Sequence, residues 1–472
     1  MAVARFPPAP LDRPSLAPLL SHEFCYSTDI ASALAQYRIE GDGAAAIAAS
    51  VERGIEAGTL RPGTPLPPVR ALASALGVSP TTVSSAFRDL RSRGLVVSRS
   101  RSRTEVSWRP PVAAPSLGVQ VPAGARDLAS GNPDPGLLPD LRTVLQRVEP
   151  PRQLYGGDPA DPLLLERVGA ELEADGIEAG EPVVVSGALD GIERALAGRL
   201  RPGDAIAVED PGFAGLLHLL RANGYALRPV AIDGRGMTPG ALAQALDAGV
   251  AAVVLNPRGQ NPTGASLDGE RVAALRAVLD SHPDVVVLED DHLGPIAGAP
   301  RLTLTAGRRH WAAARSLAKS LGPDLRLAVL AGDSQTIARV RGRQAVGPGW
   351  VSHLLQRVAA ELLADPATTE LLARATETYF ERREAFLAAL AECGIGVESS
   401  SGLNVWIPVP DETATVQSLQ AAGWAVMPGS PFRLKADPAI RVTTSSLDPS
   451  EAGPLATAVA AALEPSPRTR MA

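Results

Sequence analysis

The chain has 472 residues and a formal charge of −6, with 45% hydrophobic and 20% charged residues. That balance excludes a disordered or fibrous chain, and at roughly 100–200 residues per domain the length implies two to four folding units. Cys25 and Cys393 are its only cysteines, too few for a disulfide framework or a cysteine-built metal site, so no metal is expected. No apolar run approaches the ~20 residues of a membrane span. There is no basic-then-apolar leader either, so the expectation is a cytoplasmic protein with no membrane partner.

Charge is unevenly spread. Residues 44–108 hold nine Arg against four Asp and Glu, a local +5, which leaves −11 for the remainder. A small basic module joined to a large acidic one points to nucleic acid for the first and different chemistry for the second. Lysine is nearly absent: only Lys319 and Lys435 occur among 45 basic residues. Arginine neither deprotonates nor forms a Schiff base, whereas lysine does both, so each remaining lysine is a candidate for such chemistry.

In chain order, residues 1–35 are Pro-rich at first and without a period, and are read as a mobile arm. Residues 36–108 form the basic module. Ile47, Val51 and Ile55 recur every four residues and predict a first helix with one apolar face. Val69, Leu72, Ala73 and Leu76 follow helical spacing and predict a second, ended by Gly77. Ser79 is placed to cap a third, Pro80 suits its first turn, and Val83, Ala86, Phe87 and Leu90 give it an apolar face. Gly94 stops it. A short strand begins at residues 95–97, and Arg99, Arg101 and Arg103 decorate the turn beyond. Two helices joined by a tight turn and followed by a basic hairpin predict a winged helix-turn-helix, whose second helix can enter the major groove.

The segments Leu66-Pro67-Pro68-Val69-Arg70 and Gly77-Val78-Ser79-Pro80-Thr81-Thr82-Val83, with residues 90–95, resemble the DNA-binding domain of the GntR family. The resemblance implies a backbone contact for Arg70 and recognition-helix contacts for Ser79, Thr81, Thr82 and Ser84. Arg88 on the same helix and Arg101 in the wing are read as phosphate or base contacts. Pro80 stands where many members have an arginine, and the wing lacks the usual glycine.

Residues 109–125 are rich in Pro, Ala, Ser and Gly and predict a linker. From residue 126 to 465, apolar runs such as 183–185, 205–208, 253–255, 285–288 and 327–330 alternate with Ala/Leu-rich helical patterns. That alternation predicts an α/β domain with a largely parallel sheet. Residues 466–472 are read as a tail.

Lys319 lies in Ser316-Leu317-Ala318-Lys319-Ser320-Leu321-Gly322-Pro323, a polar turn at a strand edge, and Arg326 follows in the same segment. One lysine so placed is more often a solvated surface side chain, but four further segments bear on it. Ser186-Gly187-Ala188 joins a strand to a helix N-terminus, an anion cradle. Glu289-Asp290-Asp291-His292 closes an apolar strand at the edge where open α/β sheets bind ligands. Asn256-Pro257-Arg258-Gly259-Gln260-Asn261-Pro262-Thr263-Gly264 follows another strand. Phe213, in Asp210-Pro211-Gly212-Phe213, offers a ring.

Together and in this order, the segments resemble the fold-type I aminotransferases that bind pyridoxal 5′-phosphate (PLP). The resemblance implies that Lys319 forms the Schiff base and that Asp290 pairs with the pyridine nitrogen. It implies that Asn261 and His292 lie at the ring hydroxyl, with His292 standing where a tyrosine is usual. Phe213 would stack on the ring, while Ser186, Gly187, Ala188, Ser316 and Arg326 would surround the phosphate. Tyr155 resembles the residue that reaches the phosphate of a partner subunit, and Arg441 would take an effector carboxylate. The residues after Tyr155, Asp158-Pro159-Ala160-Asp161-Pro162, lack the common glycine.

A GntR-type head before an aminotransferase-like body is similar to the MocR subfamily of transcriptional regulators. That resemblance implies a homodimer that binds operator DNA and whose body senses PLP or an amino compound. The alternatives are a working aminotransferase with an appended head, or a regulator that has lost the cofactor.

Overall fold

The computed structural model describes residues 38–56, 59–61, 63–92, 94–100, 103–107, 121–149 and 152–464. The predicted arm, the predicted tail, residues 109–120 of the predicted linker and Arg101 lie outside the described residues. The chain divides into two units, one within residues 1–113 and one within residues 114–472.

In the first unit, α1 (Ala44–Glu56), α2 (Val69–Leu76) and α3 (Pro80–Ser92) precede a hairpin of β1 (Val96–Ser100) and β2 (Arg103–Val106). The helical spacings converge on one core: Ile47, Val51, Leu72, Val83, Ala86, Phe87, Leu90, Val96 and Val106 are all buried. Burying side chains such as Phe87 and Leu90 contributes about 1.5–3 kcal/mol each. Gly77 ends α2 in the left-handed region at φ +67, a conformation that favours glycine. Ser79 accepts the N–H of Thr82 through its hydroxyl at 3.1 Å, capping α3. Pro65 bridges to Glu105 and so adds an edge to the hairpin.

The second unit begins with β3 (Arg126–Asp127), α4 (Leu141–Leu145) and α5 (Pro162–Ala174). An alternating run follows: β4 (Val183–Val185), α6 (Ala188–Ala197), β5 (Ala205–Asp210), α7 (Ala214–Ala222), β6 (Ala226–Asp233), β7 (Gly236–Met237), α8 (Pro239–Asp247), β8 (Ala252–Leu255), α9 (Gly269–Asp280) and β9 (Val286–Asp291). Next come β10 (Trp311–Ser316), β11 (Ala328–Gly332), α10 (Ser334–Ala345), α11 (His353–Ala364) and α12 (Pro366–Glu392). A C-terminal lobe carries β12 (Asn404–Pro408), α13 (Glu412–Ala421), β13 (Trp424–Ala425), β14 (Met427–Pro428), β15 (Ala439–Thr443) and α14 (Ala452–Leu463).

The main sheet has the order β4-β11-β10-β9-β8-β5-β6-β7. The neighbours from β10 through β6 pair in parallel, and β11 and β7 run against them. Strand side chains alternate between faces with period two, and the two cores divide accordingly. Val183, Val185, Ile206, Val208, Val254, Leu288 and Ala314 meet α6, α7 and α10 on one face. Val184, Ala207, Val253, Val287 and Ala313 meet the helices of the other face. Sheets covered on both faces read as continuous apolar runs, which is why 205–208 and 285–288 were visible as strands. Aspartates at the helix starts, among them Asp161, Asp268, Asp333 and Asp365, accept backbone N–H groups and account for part of the acidic excess. Among the described residues no helix is long and apolar enough to cross a membrane.

Candidate functional site

Five segments meet at the C-terminal edge of the parallel strands, where an open α/β sheet offers its crevice. β4 leads to Ser186, β5 to Phe213, β8 to Asn261, β9 ends in Asp290 and Asp291, and β10 leads to Lys319. Asp290 lies opposite Ala314 on β10, five residues before Lys319.

Three successive acids end β9, and arginine serves only two of them. Glu289 takes Arg301 at 2.8 Å together with the Thr303 hydroxyl and the Leu304 N–H. Asp291 takes Arg258 through both oxygens, at 3.0 and 2.9 Å, and Arg315 at 2.8 Å. Burial works against ionisation of Asp291, yet Arg315, Arg301 and Arg258 hold its carboxyl well below the usual range. Asp290 has no ion-pair partner among the described residues, and its buried Oδ1 has no hydrogen-bond partner. Burial, with Asp291 adjacent, pushes this carboxyl up to about 7. A buried acceptor left over in this way suits a protonated ring nitrogen.

Lys319 is held at the same edge with Nζ 2.6 Å from the carbonyl oxygen of Gly131. Burial, helped by the charge of Arg441, brings the amine down to about 8, so a sizeable fraction is neutral and nucleophilic near neutral pH. Arg441 extends from β15, donates to Asn261 Oδ1 at 3.1 Å and to the carbonyl of Ala129, and lies 4.8 Å over the Phe432 ring. Its use of Asn261 Oδ1 leaves the amide NH2 of Asn261 for another acceptor.

Asn256 joins Asp290 and His292. Its Nδ2 donates to the carbonyl of Asp290 at 2.8 Å, which settles the amide orientation, and the same nitrogen lies 3.3 Å from His292 Nδ1. Burial and the nearby charge of Lys319 bring His292 down to about 4, so the ring is neutral at physiological pH.

The segment expected to cradle an anion leads into α6. Gly187 adopts φ +94, and a Cβ there would lie 3.1 Å from the Arg326 guanidinium; only glycine leaves that approach open. Arg326 itself is held at φ 49. Ser316 is buried and accepts the Ala318 N–H at 3.3 Å. Phe213 precedes α7, and its ring covers Gly215, where a Cβ would meet Cζ at 2.7 Å. The amine, the unpaired acid, the amide donor and the cradle fit PLP in residue type and in placement on one edge.

Tyr155 is apart from these: it is 93% exposed, with its ring 5.4 Å from that of Trp350. Sequence reading assigned no role to Glu209, Asn256 or Gly131. Glu209 ends β5 buried, accepts the Asn256 N–H at 3.1 Å and Gln260 Nε2 at 3.3 Å, and burial pushes it up to about 8. It closes an apolar run just as Glu289 does, and that repeated pattern was the available signal. Asp210 beside it accepts the backbone N–H groups of Leu434, Lys435 and Ala436, so the other lysine serves here through its backbone while its side chain is exposed.

In the first unit, Arg70, Thr81 and Arg88 are exposed and Ser84 is half-buried. Ser79 and Thr82 pair hydroxyl to hydroxyl at 2.8 Å, so both also serve the cap. Replacing Arg70 by Ala is expected to weaken binding to all duplexes alike and to lower the salt slope of log K by about one. Titrations of two unrelated duplexes at several salt concentrations check this; loss at one sequence alone would contradict it.

Residues 127–459 match the family described as aminotransferase class I and II, and residues 44–106 match bacterial regulatory proteins of the gntR family. The chain is 41% identical over 429 residues to the vitamin B6 salvage pathway transcriptional repressor PtsJ of Salmonella typhimurium, covering 90% of this chain and 99% of that one. It is 30% identical over 432 residues to the HTH-type transcriptional regulator TauR of Rhodobacter capsulatus, covering 81% and 88%. Among solved structures, kynurenine aminotransferase of Pyrococcus horikoshii, in complex with PMP, is similar with a TM-score of 0.66 and 22% identity, over 72% of this chain and 91% of that one. At that identity the likeness is one of fold.

Proposed function

The chain belongs to the aminotransferase class I and II family and carries a gntR-family head before it, the pattern of the MocR transcriptional regulators, and we propose on that premise that it regulates transcription in response to PLP, or to an amino compound reaching PLP, at the Lys319 site. The observation that carries the reading is Asp290, a buried carboxyl that its neighbours' arginines leave without an ion-pair partner among the described residues, beside a strand that leads to one of only two lysines. PLP, when bound, supplies an aldehyde for amines and an electron-withdrawing ring.

The residues around it have separable tasks in this reading. Lys319 binds through its amine, Asp290 keeps the ring nitrogen protonated, and the start of α6 with Arg326 and Ser316 holds the phosphate. Asn261 and His292 each present an N–H to the ring hydroxyl. Arg441 remains a cation, since burial takes it only to about 10, and offers a bidentate fork to a carboxylate. Arg70, Thr81, Ser84 and Arg88 hold operator DNA, with Ser79 and Thr82 at the start of the same helix.

A homodimer in the cytoplasm is part of the proposal. Leu154, Tyr155, Val346 and Leu354 are exposed on the body, at 78, 93, 89 and 41%, and a second copy would cover such apolar side chains. The name of the 41%-identical relative favours PLP itself as effector. The test is fluorescence anisotropy of a duplex enriched from a random pool by the full-length protein, with and without PLP. A change in affinity of at least fivefold is expected. Unchanged affinity in protein whose absorbance shows bound PLP would exclude the reading, and sustained conversion of amino donors to keto acids would favour an enzyme.

A further inference from the structure

Lys319 and Arg441 are the two cations that ligands of this site would use, and both donate to one short segment. Lys319 Nζ donates to the carbonyl of Gly131 at 2.6 Å, and Arg441 donates to the carbonyl of Ala129. The fit is close: Gly131 has φ +67, and a Cβ there would lie 3.1 Å from the nearer guanidinium nitrogen. The segment is anchored at both ends. Upstream, buried Leu128 donates to the Ala425 carbonyl at 2.9 Å and accepts from Thr443 at 2.8 Å, and Arg126 pairs with Glu451 at 2.9 Å. Downstream, the Asp134 N–H donates to the Tyr379 hydroxyl at 3.1 Å, and its carboxylate takes Arg382 at 2.8 Å.

We propose that residues 129–131 form a strap held by these two cations, and that ligand capture at Lys319 and Arg441 releases it. The proposal rests on the regulator reading above. When an aldehyde carbon takes Nζ, the C=O bond gives way to C=N, and the oxygen leaves as water with two of the three ammonium hydrogens. The nitrogen would then keep one hydrogen in place of three, so its hold on the Gly131 carbonyl would weaken. A carboxylate reaching Arg441 is a charge-assisted acceptor and displaces the neutral carbonyl of Ala129. Arg441 also ties the C-terminal lobe to Asn261, while two further ties between the lobe and the main sheet use neither cation. Asp210 keeps its three N–H donors from residues 434–436, and Ser401 keeps the Gly259 N–H at 2.8 Å. These two ties remain when the cations are taken, and the strap follows directly after β3.

Hydrogen–deuterium exchange on the full-length protein tests this, with peptides covering 128–136 and β9, in samples with and without PLP whose loading is read by absorbance. DNA affinity is measured on the same samples. The expected result is exchange at 129–134 at least tenfold faster in the loaded protein, with β9 unchanged. Exchange there that is unchanged or slower in loaded protein overturns the strap; if DNA affinity still responds, the regulator reading survives without it. Faster exchange with no DNA response overturns both. Asp134→Ala, which loosens the far anchor, should raise exchange at 129–134 before loading and shrink the DNA response to PLP at least threefold. An undiminished response in that variant, with exchange raised, also overturns the strap.

Discussion

Replacing Lys319 by Ala is expected to abolish the borohydride-stable attachment of PLP and to leave DNA affinity indifferent to PLP, while the unliganded protein remains folded. The only other lysine, Lys435, has an exposed side chain, so peptide mapping separates surface labelling there from attachment at Lys319. The sign of the stability change follows from burial. The Lys319 amine has a folded value of about 8 against an ordinary 10.5, so the fold disfavours the ammonium, and that cost is present below about pH 8 and fades as pH rises toward 10.5. Removing the group at pH 7.5 relieves a cost of about 2–3 kcal/mol. The unoccupied variant should therefore melt no lower than the parent, although Gly131 loses a donor. Attachment in the parent requires the neutral amine, so its initial rate should climb between pH 7 and 9 and level off above. The checks are peptide mapping after reduction, rates across that range, and anisotropy with and without PLP. A label on another residue, or a DNA response to PLP that survives in the variant, would move the site away from Lys319.

The head and the main sheet were legible because each rests on a period. The four-residue spacing of Ile47, Val51 and Ile55 and the run of Val83, Ala86, Phe87 and Leu90 became buried faces of α1 and α3. The apolar runs at 183–185, 205–208, 253–255, 285–288 and 327–330 match β4, β5, β8, β9 and β11, with ends that agree within three residues. β10 was not among those runs. Its sequence, Trp-Ala-Ala-Ala-Arg-Ser, is rich in a residue that favours helix, and only its place between β9 and β11, under helices on both faces, makes it a strand. The site divides in the same way. Lys319, Asp290, Asn261 and the residues at the start of α6 stand in local motifs, and the fold brings them to one edge. The partners of Arg441 could not be read, because Asn261 and Ala129 are 180 and 312 residues away in sequence. Nor could the choice that arginine makes among Glu289, Asp290 and Asp291, since it depends on Arg258, Arg301 and Arg315 arriving from three different segments.

That choice carries the second large prediction, in which Asp290→Asn separates binding from stability. Burial and the adjacent Asp291 push the Asp290 carboxyl up to about 7, far above the ordinary 3.8. A carboxyl raised in this way favours the fold while it is protonated, and stability is lost as pH rises from about 4 through 7. At pH 7.5 the ionised acid costs the empty protein about 2–4 kcal/mol. Asparagine has the shape of the protonated acid and no charge to bury, so unliganded Asp290→Asn should be more stable than the parent at pH 7.5 and close to it at pH 5. With PLP the order reverses. The parent's carboxylate meets a protonated ring nitrogen and recovers the cost of its burial, whereas the amide offers no charge to match. A buried pair broken on one side loses about 3–5 kcal/mol, which corresponds to PLP affinity lower by at least about a hundredfold. Thermal melts at pH 5 and 7.5, with and without PLP, together with a PLP titration followed by absorbance, give both quantities from one preparation. Asp290→Asn that binds PLP as tightly as the parent would remove Asp290 from the ring nitrogen. Asp290→Asn that is less stable when empty at pH 7.5 would show that the carboxyl has a partner in the fold after all.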